Sequence, residues 1–283
     1  MKSIFLPDGT ELPAVGQGTW YLGEHPGTRA DELQTLRWGI QNGLTLIDTA
    51  EMYSDGASEA LVGEAIQPFR RDDLFLVSKV YPWNAGKAHI FDACQGSLDR
   101  LGTDYLDLYL LHWRGSVPLG ETVACMEELK AQGKIRRWGV SNFDLDDMQE
   151  LLRLKHGQNC AVVQDLYHLG SRGVDFDLLP FLRRQGIPLM AYSPLAQAGR
   201  LRQTLLGHQA VQAIAQQHQI TPIQVLLAFV LAQEGVFAIP RTGCPEHVRA
   251  NRAAAEVCLS AEELAMLDHA FPAPNRKVRL DVI

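Results

Sequence analysis

Eight short apolar runs, each followed by a stretch with helical character, constrain this chain more than any other feature. The runs lie at residues 15–20, 44–48, 74–80, 105–112, 135–142, 160–166, 187–193 and 236–241. The helical stretches lie at 29–41, 58–66 with Ser58 as N-cap, 87–101, 122–132, 145–155, 176–184, 223–233 and 245–257. Strand followed by helix is the signature of a parallel sheet, and eight such units in under 300 residues predict an α/β fold, the (β/α)8 barrel. Two further helical stretches exceed the eightfold count, 209–218 and 261–271, the second with Ser260 placed to cap it. Ahead of the barrel, residues 4–6 and 11–12 flank the turn signal Asp8-Gly9 and predict an N-terminal β-hairpin. No Pro/Gly/Ser-rich linker interrupts the series, so a single domain over residues 1–283 is expected.

Composition narrows the function classes. Of the 283 residues 46% are hydrophobic and 21% charged, which is enough apolar material for a large core. The net charge of −7 argues against a nucleic-acid partner, and an anionic ligand would need its own local cluster of cations or backbone donors. The cysteines (Cys94, Cys125, Cys160, Cys244, Cys258) are odd in number and never form a C-x-x-C pair, so neither a disulfide framework nor a zinc site is indicated and no metal is expected. The opening residues lack a secretory h-region, and no apolar run of about 18 residues occurs, so a cytoplasmic protein with no membrane partner is expected.

Gly16-Gln-Gly18-Thr-Trp-Tyr21 begins like a dinucleotide-binding fingerprint but places Tyr21 where the third glycine belongs. H-E-x-x-H, P-loop and G-x-S-x-G motifs are absent. Chemistry must therefore come from the carboxyl ends of the strands, where barrel enzymes carry it. The second strand ends in Asp48, with Tyr53 on the following loop; the third ends in Lys79 and the fourth in His112. A lysine after an apolar run is costly to bury unpaired, so Asp48 is its expected partner. An ammonium beside Tyr53 is expected to favour the phenolate, making Tyr53 a usable proton donor, with His112 bonding the atom that receives the proton. Singly each has a plainer explanation: Asp48 could cap a turn, Tyr53 could pack on the surface, Lys79 could snorkel to the rim and His112 could be a core histidine. Four such residues at three successive strand ends are harder to dismiss. Trp20, Trp83 and Trp113 each follow a strand end and are expected to wall an apolar pocket with His112, although any of them could be core.

These residues carry a resemblance over nearly the whole chain. Ile47-Asp48-Thr-Ala-x-x-Tyr53, Ser58-Glu59 with Val62-Gly63, Val77-Ser-Lys79, Tyr105 to Trp113, Gly139-Val-Ser141-Asn142, Ala191-Tyr192-Ser-Pro-Leu195 and Ile239-Pro-Arg241-Thr242 are similar, in order and spacing, to the aldo-keto reductases, in particular short bacterial cytosolic members. The resemblance implies an NADPH-dependent reductase of aldehydes and 2-oxoaldehydes such as methylglyoxal, a monomer with Asp48, Tyr53, Lys79 and His112 as its catalytic tetrad. It also implies cofactor contacts from Thr19, Trp20, Ser141, Asn142, Gln164, Tyr192, Ser193, Leu195 and Arg200. Ser141-Asn142 could instead cap the next helix, and Gln164 could be a satisfied buried amide. Only residues 272–283 follow the last helix, so an open pocket mouth is expected. Two other classes stay open: a barrel in which Lys79 forms a Schiff base, and a non-catalytic cofactor-binding subunit.

The chain departs from the family after its last strand. Many members carry Lys-Ser where this chain has Arg241-Thr242, and an arginine at the position of His247. Arg241 and Thr242 are expected to hold a 2′-phosphate, Asn251 to contact the adenine, and His247 to be the weaker partner, since a neutral imidazole offers one hydrogen bond where arginine offers a charged fork. NADPH should be preferred over NADH less steeply than with arginine, and His247→Arg should sharpen the preference. Dissociation constants of NADPH and NADH check this: NADPH should bind the more tightly, and His247→Arg should widen the gap.

Overall fold

The computed structural model describes residues 2–283. Strands β1 (Ser3–Phe5) and β2 (Glu11–Pro13) form the antiparallel hairpin. Leu6 and Leu12 are buried, and Arg137, just ahead of a barrel strand, pairs with Asp8 at 2.6 Å, so the hairpin covers the amino end of the barrel.

The repeating units follow in order: β3 (Gln17–Gly18), α1 (Arg29–Gln41), β4 (Leu46–Asp48), α2 (Ala57–Ile66), β5 (Phe75–Val80), α3 (Ile90–Leu101), β6 (Leu108–Leu111) and α4 (Leu119–Ala131). The second half runs β7 (Trp138–Ser141), α5 (Leu145–Arg153), β8 (Cys160–Leu166), α6 (Leu178–Gln185), β9 (Leu189–Tyr192), α7 (Arg200–Gly207), α8 (Gln209–His218), α9 (Pro222–Leu231), β10 (Val236–Ala238), α10 (Pro245–Ala254) and α11 (Ala261–Ala270). Strands β3 to β10 lie in sequence order, each parallel to the next, and parallel bridges Val15–Ala238 and Gly18–Arg241 join the last strand to the first. The fold is thus the (β/α)8 barrel with its N-terminal hairpin. Strand residues buried on both faces explain why the runs read as continuously apolar.

Three details differ from the sequence expectations. The extra helices α8 and α11 are present, and Ser260 caps α11 in a reciprocal box with Glu263. A third, α7, has no counterpart among the expected helical stretches; only Leu205 of it is buried, too little apolar periodicity to mark a helix. Strand β10 stops at Ala238 because Pro240 has no N–H to continue the ladder, which leaves Arg241 on a loop. Ser58 does not cap α2: it lies one residue inside the helix, buried, and its hydroxyl donates to the Thr19 carbonyl at 3.0 Å, tying α2 to the loop after β3.

That helix is entered instead through Gly56, whose φ of 87° follows left-handed Ser54 and Asp55. A Cβ on Gly56 would also stand 2.6 Å from Cδ of Arg100, which Glu59 holds in an ion pair of 2.6 Å. Gly56→Ala should therefore lower stability by about 1–2 kcal/mol, measured as a shifted urea midpoint at unchanged slope.

Candidate active site

Side chains alternate between barrel interior and helix layer along each strand, and this decides which polar residues meet. On β5, Ser78 points outward and its hydroxyl donates to Glu59 Oε1 at 2.5 Å, whereas Lys79 points inward. Lys79 is fully buried, and its Nζ donates to Asp48 Oδ2 at 2.7 Å, to the Thr49 carbonyl at 2.9 Å and to Tyr53 Oη at 3.0 Å. Across the barrel, Gln164 on β8 donates from Nε2 to Asp48 Oδ1 at 2.8 Å. Asp48 is thereby held from both sides. The His112 ring stands edge-on to Tyr53, centroids 5.8 Å apart, and its Nδ1 is buried without a hydrogen-bond partner among the described residues.

Burial dominates the charge states here. It pushes the Asp48 carboxyl up and the Lys79 ammonium down from their ordinary values, each opposed by the attraction between the two. His112 is driven well below its usual range by burial and by the Lys79 charge, so it is neutral. Tyr53 corrects an expectation: burial and the Asp48 carboxylate raise its phenol well above 10, rather than the ammonium lowering it. The Lys79 charge is already matched by Asp48 at shorter range, so it does not lower the resting phenol, although its Nζ still donates to Tyr53 Oη and is in place to hold a tyrosinate once the proton has been given to a substrate. Tyr53 is a group that keeps its proton.

Above this cluster opens a cleft. The structure brings Thr19, Trp20, Asp48, Tyr53, His112, Trp113, Ser141, Asn142, Gln164, Tyr192, Ser193 and Arg241 to its walls. Asn142 has φ of 58°; its Nδ2 donates to the His112 carbonyl at 3.0 Å and to Ser141 Oγ at 3.2 Å, while its Oδ1 accepts from Tyr192 at 2.7 Å. One lone pair of that oxygen is left for a ligand. Leu195 lines an adjoining groove between Trp20, Tyr21 and Arg241.

Several expected residues stand elsewhere. Trp83 does not line the cleft; it is 57% exposed, stacks on Tyr81 at 4.3 Å and meets Trp113 edge-on, forming the outer rim. Arg200 is exposed at the start of α7, and Arg202, two residues on, reaches the groove instead. Thr242 is engaged with its own chain, its Oγ1 accepting from the Cys244 amide at 3.0 Å. His247 is exposed and Asn251 buried on α10, both outside the cleft walls, and Arg249 lies over the Trp38 ring at 5.6 Å. The expected open mouth is also corrected. Residues 272–283 run back over the carboxyl face, pinned where Lys277 pairs with Asp144 and Asp177 and where Ser171 donates to Asp281, and they bring Ile283 to the cleft wall. Met52 and Ile239, which sequence reasoning missed, line the same cleft; nothing but proximity to Tyr53 and Arg241 marked them.

The alignment of an acid, a buried lysine, a tyrosine and a neutral histidine under one cleft at the carboxyl end of a barrel defines an oxidoreductase class. The Aldo/keto reductase family model matches residues 14–271, and the chain belongs to that family. It is 59% identical to methylglyoxal reductase YeaE of Escherichia coli over all of this chain and 99% of that one. It is 30% identical to an NADH-specific methylglyoxal reductase of the same organism, over 94% and 97%. An aldo-keto reductase from Klebsiella pneumoniae, solved with NADP and acetate, superimposes with a TM-score of 0.97 at 55% identity over 100% and 99% of the two chains.

Lys79→Met should cost about 3–5 kcal/mol in urea unfolding at pH 7, because Asp48 stays buried without its counter-charge. Asp48 of that variant has a folded pKa above its unfolded one, so stability present at acidic pH is lost as pH rises. The deficit relative to the parent should be smaller at pH 5 than at pH 8, and an equal deficit would refute the pairing.

Proposed function

We propose that this chain reduces small aldehydes and 2-oxoaldehydes, methylglyoxal among them, to alcohols with NADPH. The observation that carries the reading is the bond from Lys79 to both Asp48 and Tyr53 directly beneath a cleft shared with neutral His112. The relatives' activities and the nucleotide bound to the Klebsiella protein point the same way.

The residues present fit the nucleotide. Ser141 Oγ and Gln164 Nε2 spend their hydrogens on the Gln164 carbonyl and on Asp48 and Met190, so the free lone pair of Asn142 Oδ1 and the Gln164 Oε1 are the acceptors left for the N–H groups of a carboxamide, beside the flat face of Tyr192. Arg241 donates one N–H to the Trp20 carbonyl at 2.7 Å and keeps its others for an anion, with Arg202 across the groove. When bound, the cofactor supplies a hydride to the carbonyl carbon. Tyr53 holds the proton that the developing alkoxide takes, and neutral His112 donates a hydrogen bond to the same oxygen. Lys79 stabilises the tyrosinate left behind, and Asp48 keeps Lys79 in place. Trp20, Trp113 and Ile283 exclude water from this end of the cleft and suit a small substrate.

A Schiff-base mechanism is disfavoured, since Lys79 spends its donors on three protein oxygens and lies below the cleft floor. An intact tetrad favours turnover over a purely regulatory subunit. One domain, a monomeric state and a cytoplasmic location belong to this proposal; no helix among the described residues is long and apolar enough to cross a membrane.

NADPH oxidation with methylglyoxal tests the reading directly. Tyr53→Phe should lower kcat by about a hundredfold or more while leaving the NADPH dissociation constant nearly unchanged. At saturating cofactor, kcat should show no inflection near pH 6.5, since His112 is already neutral, and should fall only on the far alkaline side as Tyr53 loses its proton. Near-parental turnover in Tyr53→Phe would overturn the assignment.

A further inference from the structure

Asp165 is a buried acid that the proposed chemistry does not use. It follows Gln164 on β8, so alternation turns its side chain out of the barrel while Gln164 faces the cleft. It is fully buried; Oδ1 accepts the Phe143 amide at 3.2 Å, and Oδ2 has no hydrogen-bond partner among the described residues. Phe143 belongs to the turn Ser141-Asn142-Phe143 after β7. The left-handed backbone of Asn142 aims two successive N–H groups at β8: that of Asn142 reaches the Gln164 carbonyl at 3.1 Å, and that of Phe143 finds no main-chain acceptor but the Asp165 side chain. An apolar residue at 165 would leave that buried N–H unpaired.

We propose that Asp165 is a positioning residue which, from the outer side of the barrel wall, locks the turn that presents Ser141 and Asn142 to the nicotinamide end of the cleft. The proposal rests on the reading of that cleft as the NADPH site. The charged surroundings give the lock a pH range. Asp144 and Asp147, at the start of α5, are paired outward with Lys277 and Arg114, and Tyr192 approaches from β9. None of these groups supplies a charge that would stabilise a carboxylate, and burial pushes Asp165 up to about 8. At neutral pH the lock is an uncharged acid. Above pH 8 it becomes a carboxylate with one oxygen unpaired beside two other acids, and the turn loosens to let water reach it.

NADPH dissociation constants, read from quenching of tryptophan fluorescence between pH 7 and pH 9.5, provide the test. Asp165→Val should weaken NADPH about tenfold at pH 7, and Asp165→Asn, which retains an acceptor for Phe143, should recover most of that loss. The parent should lose affinity by about threefold or more from pH 7 to pH 9.5, and Asp165→Asn should not follow it. Asn142→Ala separates this inference from the reading beneath it. If Asn142→Ala binds NADPH like the parent, the cleft reading fails; if it weakens NADPH and Asp165→Val does not, only the lock fails. Combined with Asn142→Ala, Asp165→Val should add little, and fully additive losses would overturn action through the turn. Without nucleotide, the sign is also fixed. The folded pKa of Asp165 exceeds its unfolded one, so the parent loses stability from acidic pH up to about pH 8 and none beyond from this group. The melting temperature of Asp165→Asn should gain on the parent from pH 5 to pH 8 and then run level; a gap that stays constant or narrows over that range overturns the buried-acid lock.

Discussion

The ammonium of Lys79 is the group on which the site depends. A lysine with no exposed surface persists only when its charge and donors are satisfied, and here three oxygens from β4 and its following loop do so. The same bonds fix Tyr53, which sits just ahead of a loop whose Ser54 and Asp55 are left-handed. Asp48 in turn spans the barrel to Gln164, so the floor of the cleft is one connected polar layer laid across an otherwise apolar core. Such a layer rigidifies what it joins, because any member that moved would strand a buried polar partner.

Burial has opposite uses on the two sides of the barrel wall. Inside, it keeps His112 neutral and Tyr53 protonated, the states in which each can donate to an oxygen. Outside, Glu59 is held by Ser78 and Arg100 between α2 and α3, and Asp165 holds the turn after β7. These outward acids meet no substrate. They satisfy backbone and side-chain donors where loops must stand still for the inward residues to be aimed.

The carboxyl-terminal segment adds a constraint of its own. Its ion pairs to Asp144 and Asp177 and its contact at Ser171 carry it from α11 across the carboxyl face. Asp144 is also the N-cap of α5, so the segment is anchored to the turn that bears Asn142. An apolar side chain at the cleft wall therefore comes from a part of the chain far from the strands that carry the polar groups.

The alternation of apolar runs and helices was legible in the sequence because a parallel barrel buries both faces of every strand, and such runs need no partner to be recognised. The polar residues ending those runs were legible for the same reason: Asp48, Lys79 and His112 interrupt apolar stretches where a soluble protein has little cause to place them. What the sequence by itself determined is thus the barrel and the identity of its inward polar set. The charge state of Tyr53 was not legible, because it depends on how far burial outweighs an ammonium already matched to Asp48. Nor were the displacement of Trp83 to the rim, the substitution of Arg202 for Arg200 in the groove, or the arrival of Ile283 at the cleft. Each is set by loop conformations and long-range packing, where residues hundreds of positions apart compete for one space, and local patterning carries no record of which of them wins.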